Sequence, residues 1–138
     1  MTTRSALAAP ALLAAALVGL LPACQRDLPP DATYRALVRA AADRDEAAAW
    51  SLLSSATQER LTARARTAAS AAPGVVPPSA RAMLIGDAAL GVRPPSAITL
   101  LESSPDRAVL RVEAPGAPAG NVVLVREGGA WRVDLPAQ

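Results

Sequence analysis

The spacing of apolar residues changes character along the chain, and the changes mark out its elements. From Asp31 onward, Tyr34, Leu37, Val38 and Ala41 recur at i, i+3, i+4 and i+7 while Arg35 and Arg39 fall elsewhere, which predicts an amphipathic helix capped by Asp31. Asp43 with Glu46 three residues on has the form of a capping box with Asp as the cap, so a second helix is expected there. That helix would place Ala47, Trp50, Ser51 and Ser54 on one side, with Leu53 beside Trp50, making the indole the expected anchor of the helical layer. Ser55 and Gln58 repeat the capping pattern and open a third helix to about Ala71, with Leu61 and Ala65 inward and Glu59, Arg60, Arg64 and Arg66 outward. Pro73 and Gly74 end it. The stretch Val75 to Pro95 is weakly patterned: Ser79 is a good cap for a short helix ending near Gly86, and Arg93, Pro94 and Pro95 read as extended chain. Met83, Leu84, Ile85 and Leu90 are expected to form a lid over one end of the core.

From Ser96 the period becomes two. Ala97 to Leu101 and Ala108 to Glu113 read as strands around the turn residues Ser103 to Asp106, and Pro115 to Gly120 as a longer loop. Asn121 to Glu127 and Ala130 to Leu135 then flank Gly128 and Gly129, the strongest hairpin signal in the chain. Such a turn pairs Glu127 with Ala130, Arg126 with Trp131, Leu124 with Val133 and Val122 with Leu135. One face then carries Val122, Leu124, Trp131, Val133 and Leu135; the other carries Val123, Val125, Arg132 and Asp134, and its two valines imply partial cover. Helices followed by an antiparallel meander specify an α+β domain, with N-terminal helices packed on a curved antiparallel sheet.

Ahead of this domain, Arg4 stands in a short polar segment and Ser5 to Leu20 is an uncharged run of mainly Ala, Leu and Val, the n-region and h-region of a secretory leader. The run is shorter than a membrane span needs and is bounded by Pro10 and Pro22. It ends in Leu21, Pro22, Ala23 and Cys24, which resembles the lipobox of bacterial lipoproteins. The resemblance implies a signal peptide over residues 1–23, cleavage between Ala23 and Cys24, diacylglycerol on the Cys24 thiol and acylation of the new amino group, including by palmitate. Two or three acyl chains would make membrane attachment effectively permanent. The alternative is an ordinary leader cleaved after Ala23, which explains the small residue but not the cysteine behind it. Residues 24–30, ending in Pro29 and Pro30, read as a lipidated tether, and residues 31–138 as the domain. Gln25 in place of Asp after the cysteine points to the outer membrane, with the domain facing the periplasm.

Composition narrows the chemistry. All 14 basic residues are Arg, and loss of Arg4 with the leader leaves thirteen against twelve acids, so no basic excess exists to hold nucleic acid. Cys24 is the only cysteine, which leaves no intramolecular disulfide. The absence of His and Lys removes imidazole bases and metal ligands, Schiff-base lysines and P-loop lysines. No catalytic triad, carboxylate pair, metal set or cofactor motif is present, so no catalytic or metal residues and no cofactor are assigned.

Four features together resemble the NTF2-like superfamily, and within it the small envelope lipoproteins of the DUF4878 or lumazine-binding-like kind. They are the early helix with Tyr34, the stretch from Ala42 to Trp50, the Leu52, Leu53, Ser54 helix end leading to Arg60 and Leu61, and the closing Glu127 to Leu135 hairpin. The resemblance implies a cone-shaped half-barrel whose mouth holds a small apolar ligand, and a family of isomerases, dehydratases and binding modules. Tyr34, Trp50 and Trp131 are then the candidate pocket residues, each weighed against a plain role in the core. The expectation is a non-enzymatic module binding a small apolar ligand or an envelope protein. The alternatives are an isomerase or hydrolase using Tyr34 with a pocket carboxylate such as Asp43 or Asp134, and a passive structural lipoprotein.

Overall fold

The computed structural model of the chain describes residues 27–75, 79–89 and 93–136. The leader, Ala23, Cys24 and Leu90 lie outside the described residues. Four helices, α1 (Pro30–Ala42), α2 (Glu46–Ser51), α3 (Ser55–Ala71) and α4 (Ala80–Ala89), precede four strands, β1 (Ala97–Ser103), β2 (Arg107–Glu113), β3 (Gly120–Glu127) and β4 (Ala130–Asp134). The strands form an antiparallel meander in the order β1-β2-β3-β4, an α+β architecture with the helices on one face of the sheet and at its β4 edge. Among the described residues no helix is long and apolar enough to cross a membrane.

The closing hairpin has the expected register, with Glu127 opposite Ala130, Arg126 opposite Trp131 and Leu124 opposite Val133. Gly128 and Gly129 both take positive φ, which a two-residue turn of this hand requires and a side chain resists. Leu110, Leu124 and Val133, each fully buried, form the middle of the core with Ala108, Val112 and Trp131. Val123 and Val125 on the opposite face are half-buried. In β1, Leu100 pairs with Leu110 but Glu102 pairs with Val109, so Leu101 is a bulge that bends this edge strand.

The helix starts differ from those expected. α1 begins with Pro30 at its first position, where a missing N–H costs nothing, so Asp31 lies in the first turn and caps nothing with its side chain. At its other end, Arg44 sits at φ 57, and Arg44 N–H and Asp45 N–H donate to Ala41 O (3.2 Å) and Ala40 O (2.8 Å). This is a Schellman ending with Arg where Gly is usual. Asp43 is consumed in that ending, and Asp45 becomes the cap of α2, accepting from Ala48 N–H at 2.9 Å. The anchor of α2 is Ala49, fully buried, followed by Leu53; Trp50 is half-buried on the flank. A methyl group at 49 lets α2 approach the core closely, and the next residue is turned about 100° away. α3 is capped by Ser54, whose hydroxyl accepts from Thr57 N–H at 3.1 Å, and Ala65 is buried as expected. Ser79 caps α4 with a 3.3 Å bond from Ala82 N–H, and α4 continues three residues past Gly86. Of the expected lid residues, Ile85 is in the core and Leu84 packs against it.

Leu53 forms a parallel bridge with Val133, with Ser54 N–H donating to Val133 O (2.9 Å) and Val133 N–H to Leu52 O (2.8 Å). The link between α2 and α3 thus closes the β4 edge, which would otherwise expose unpaired backbone groups. The opposite edge, β1, carries Leu100 and Leu101 about half exposed.

Candidate functional site

A cavity of about 500 Å³ lies between α1 and the sheet, within the size range of small-molecule sites. Its floor is built from Leu37 and Ala41 of α1, Ala49 of α2 and Val112 of β2, all buried. Ala41 accounts for part of the space: where a longer side chain would fill the gap between α1 and the sheet, a methyl group leaves it open. Tyr34 and Val38, one turn apart on α1, form one wall with Leu84; Val122 and Leu135 form the other. The rim is the loop from Ala114 to Pro118 together with Arg93 and Asn121.

Two interactions hold this lining in place. At the rim, Arg93 Nη1 donates to Pro115 O at 2.7 Å. Gly116 beside it takes φ +74, which glycine adopts without strain, and a Cβ there would stand 2.6 Å from Arg93 Nη1 and push the flexible end of that side chain aside. At the wall, Leu135 is fixed through its backbone by a partly buried polar cluster. The Ser54 hydroxyl donates to Asp134 Oδ1 at 2.8 Å and the Thr57 hydroxyl to the same oxygen at 3.0 Å. Arg60 donates to that oxygen at 3.1 Å and also to Leu135 O, and Leu135 N–H donates to Thr57 Oγ1 at 3.0 Å. Glu127 adds a second tie, accepting from Ser55 N–H (3.0 Å) and the Ser55 hydroxyl (2.8 Å) at the start of α3.

The cluster holds Asp134 in its ionised form. Burial is the largest single influence on Asp134 and raises its pKa, but the hydrogen bonds from Ser54, Thr57 and Arg60, with the Arg60 charge, outweigh it and hold the carboxyl below its usual value. A carboxylate so stabilised is a poor base, and Ser54 and Thr57 are fully buried. Tyr34 is perturbed the other way: burial raises its hydroxyl above the ordinary phenol value, so it remains a proton donor across the neutral range. Among the described residues no group of three or more His, Cys, Asp or Glu could hold a metal.

Of the three aromatic candidates, Tyr34 lines the cavity and the two tryptophans do not. Trp50 borders a separate shallow cleft beside Gln58, Thr62 and Arg66, with Gln58 Nε2 donating to its carbonyl at 2.8 Å and the Arg81 guanidinium 5.6 Å over its ring. Trp131 is buried on the core face of β4, with Arg126 5.5 Å over its ring. Asp43 and Asp134 line no part of the cavity. The residue that sequence reasoning passed over is Arg93, treated there only as extended chain. It is the single charge between Ala88 and Leu101, which is the signal that could have drawn notice. Comparison with protein-family models, curated proteins and solved structures finds no match to the chain.

Proposed function

We propose that the protein is a lipid-anchored, periplasm-facing module of the bacterial envelope that binds a small apolar ligand in the cavity beneath α1, without catalysing a reaction. The cavity is the observation that carries this reading: about 500 Å³, floored by Leu37, Ala41, Ala49 and Val112. Apolar walls with a few polar groups at the mouth favour binding through burial of apolar surface, at roughly 25 cal/mol per Å². The NTF2-like resemblance supports the same reading, since a helix laid across a bent antiparallel sheet is what a half-barrel with an apolar mouth requires. The isomerase or hydrolase alternative needs a carboxylate beside Tyr34. Neither acid named for it lines the cavity: Asp43 is exposed at the end of α1, and Asp134 is bonded to Ser54, Thr57 and Arg60.

The address rests on Leu21 to Cys24, and on the tether that would place the domain just off the bilayer. Labelling bacterial cells that express the chain with a palmitate analogue tests it: wild type incorporates label and Cys24→Ala does not. Equal labelling would overturn the anchor. Native mass spectrometry of the protein isolated from envelopes tests the ligand: adducts of low mass, lost on mild activation, are expected on the wild type. A chain that carries none after isolation and acquires none from envelope lipid extract would contradict the binding reading.

A further inference from the structure

The cavity is not uniformly apolar: Tyr34 and Asn121 add neutral polar groups to its lining, and Arg93 adds a charge. Among the described residues that line it, Arg93 is the sole ionised side chain. Arg93 is exposed at the mouth, whereas Leu37, Ala41 and Val112 at the floor are buried, so polarity runs in one direction from rim to base. Its contact with Pro115 O occupies one of five N–H donors. The rest of the planar fork has the geometry that carboxylates match in pairs of parallel bonds.

We infer that the cavity takes a single-chain amphiphile with one anionic head, of the medium-chain monocarboxylate class, its chain on Leu37, Val112 and Val122 and its head on Arg93. The inference rests on the small-ligand reading of the cavity and adds the ligand's charge and shape. A neutral apolar ligand would gain the same floor but leave the arginine facing water. A dianionic or cationic head would find either too little charge or repulsion. Each methylene added to the chain should tighten binding about fourfold until the cavity is filled, by the free energy of burying a methylene. The carboxylate should bind about tenfold tighter than the alcohol of equal length, the gain of a charge-assisted pair at a partly wet rim.

The test is calorimetric titration of the full chain carrying Cys24→Ala, so that no acyl group on the chain itself competes, with octanoate, decanoate and decanol at submicellar concentration. The expected result is saturable binding of one decanoate per chain, weaker octanoate, and decanol about tenfold weaker than decanoate. Arg93→Gln, which keeps a donor for Pro115 O, should equalise decanoate and decanol, while Arg93→Lys should keep part of the preference. Circular dichroism of both variants shows that the fold is retained. Equal affinity of decanoate and decanol in the parent would overturn the anionic class and leave the apolar cavity standing. Failure of both compounds to bind would overturn the cavity reading together with it.

Discussion

Removing the Asp134 carboxylate is the sharpest perturbation of the framework behind the cavity. Asp134 Oδ1 accepts from Ser54, Thr57 and Arg60. In Asp134→Ala, the Ser54 and Thr57 hydroxyls both lose their acceptor in fully buried positions, and since the two oxygens are 3.0 Å apart one can donate to the other, which leaves one hydroxyl orphaned. An orphaned buried hydroxyl costs about 1–3 kcal/mol. The Arg60 pair adds less than about 1 kcal/mol, because the side chains of Arg60 and Asp134 are 42% and 31% exposed and solvent screens them. The total is about 2–3 kcal/mol, or about 10–20 °C in Tm for a domain of this size. Asp134→Asn keeps an acceptor oxygen and should lose about 1 kcal/mol, the part due to charge.

The pH dependence separates these terms. Because the native carboxyl lies below its usual value, its contribution is complete above the unfolded carboxylate pKa of about 4 and is lost as pH falls through the lower native value. Urea unfolding of wild type and Asp134→Asn should therefore show a constant gap from pH 5 to 8 that narrows below about pH 4. A gap unchanged at pH 3, or a loss under about 0.5 kcal/mol in Asp134→Ala, would refute the reasoning.

Other consequences are equally concrete. Arg44→Gly should stabilise the chain by about 0.5 kcal/mol, seen as a rise of about 2–4 °C in Tm, because relief of the left-handed strain exceeds the entropy that glycine adds to the unfolded chain. Gly116→Ala should cost about 1–2 kcal/mol, measurable by urea unfolding, and release Arg93 from Pro115, visible as a changed Arg93 side-chain resonance by NMR. Glu127→Gln should lower Tm by a few degrees through the weakened cap on Ser55 at the start of α3.

The strands were legible because period two, a Gly-Gly turn and β-branched residues all point the same way; even the pairing of Leu124 with Val133 follows from turn length alone. The helix starts were less so. Asp31, Asp43 and Asp45 are chemically equivalent caps, and only the length of α1, set by its packing, decides that Asp45 caps α2. The exchange of Trp50 for Ala49 as anchor has the same origin: sequence reasoning rewards the large side chain, whereas close helix packing rewards the small one. The place of Tyr34 on the apolar face of α1 is compatible with a core role as much as with the cavity wall it forms. Arg93 was not, because its position depends on a loop–loop contact with Pro115, 22 residues away, that no local pattern records. The cluster joining Ser54, Thr57 and Asp134 is hidden for the same reason, its partners lying about 80 residues apart.

The central claim is that the space beneath α1 is a ligand cavity. Titration of the full chain with a neutral naphthalene fluorophore, read as an emission increase, tests it against Val38→Trp, which places an indole in the cavity wall. One saturable site per chain in the wild type, absent in a folded Val38→Trp variant, is the predicted result. Saturable binding of equal strength in both proteins, or none in the wild type, would contradict it.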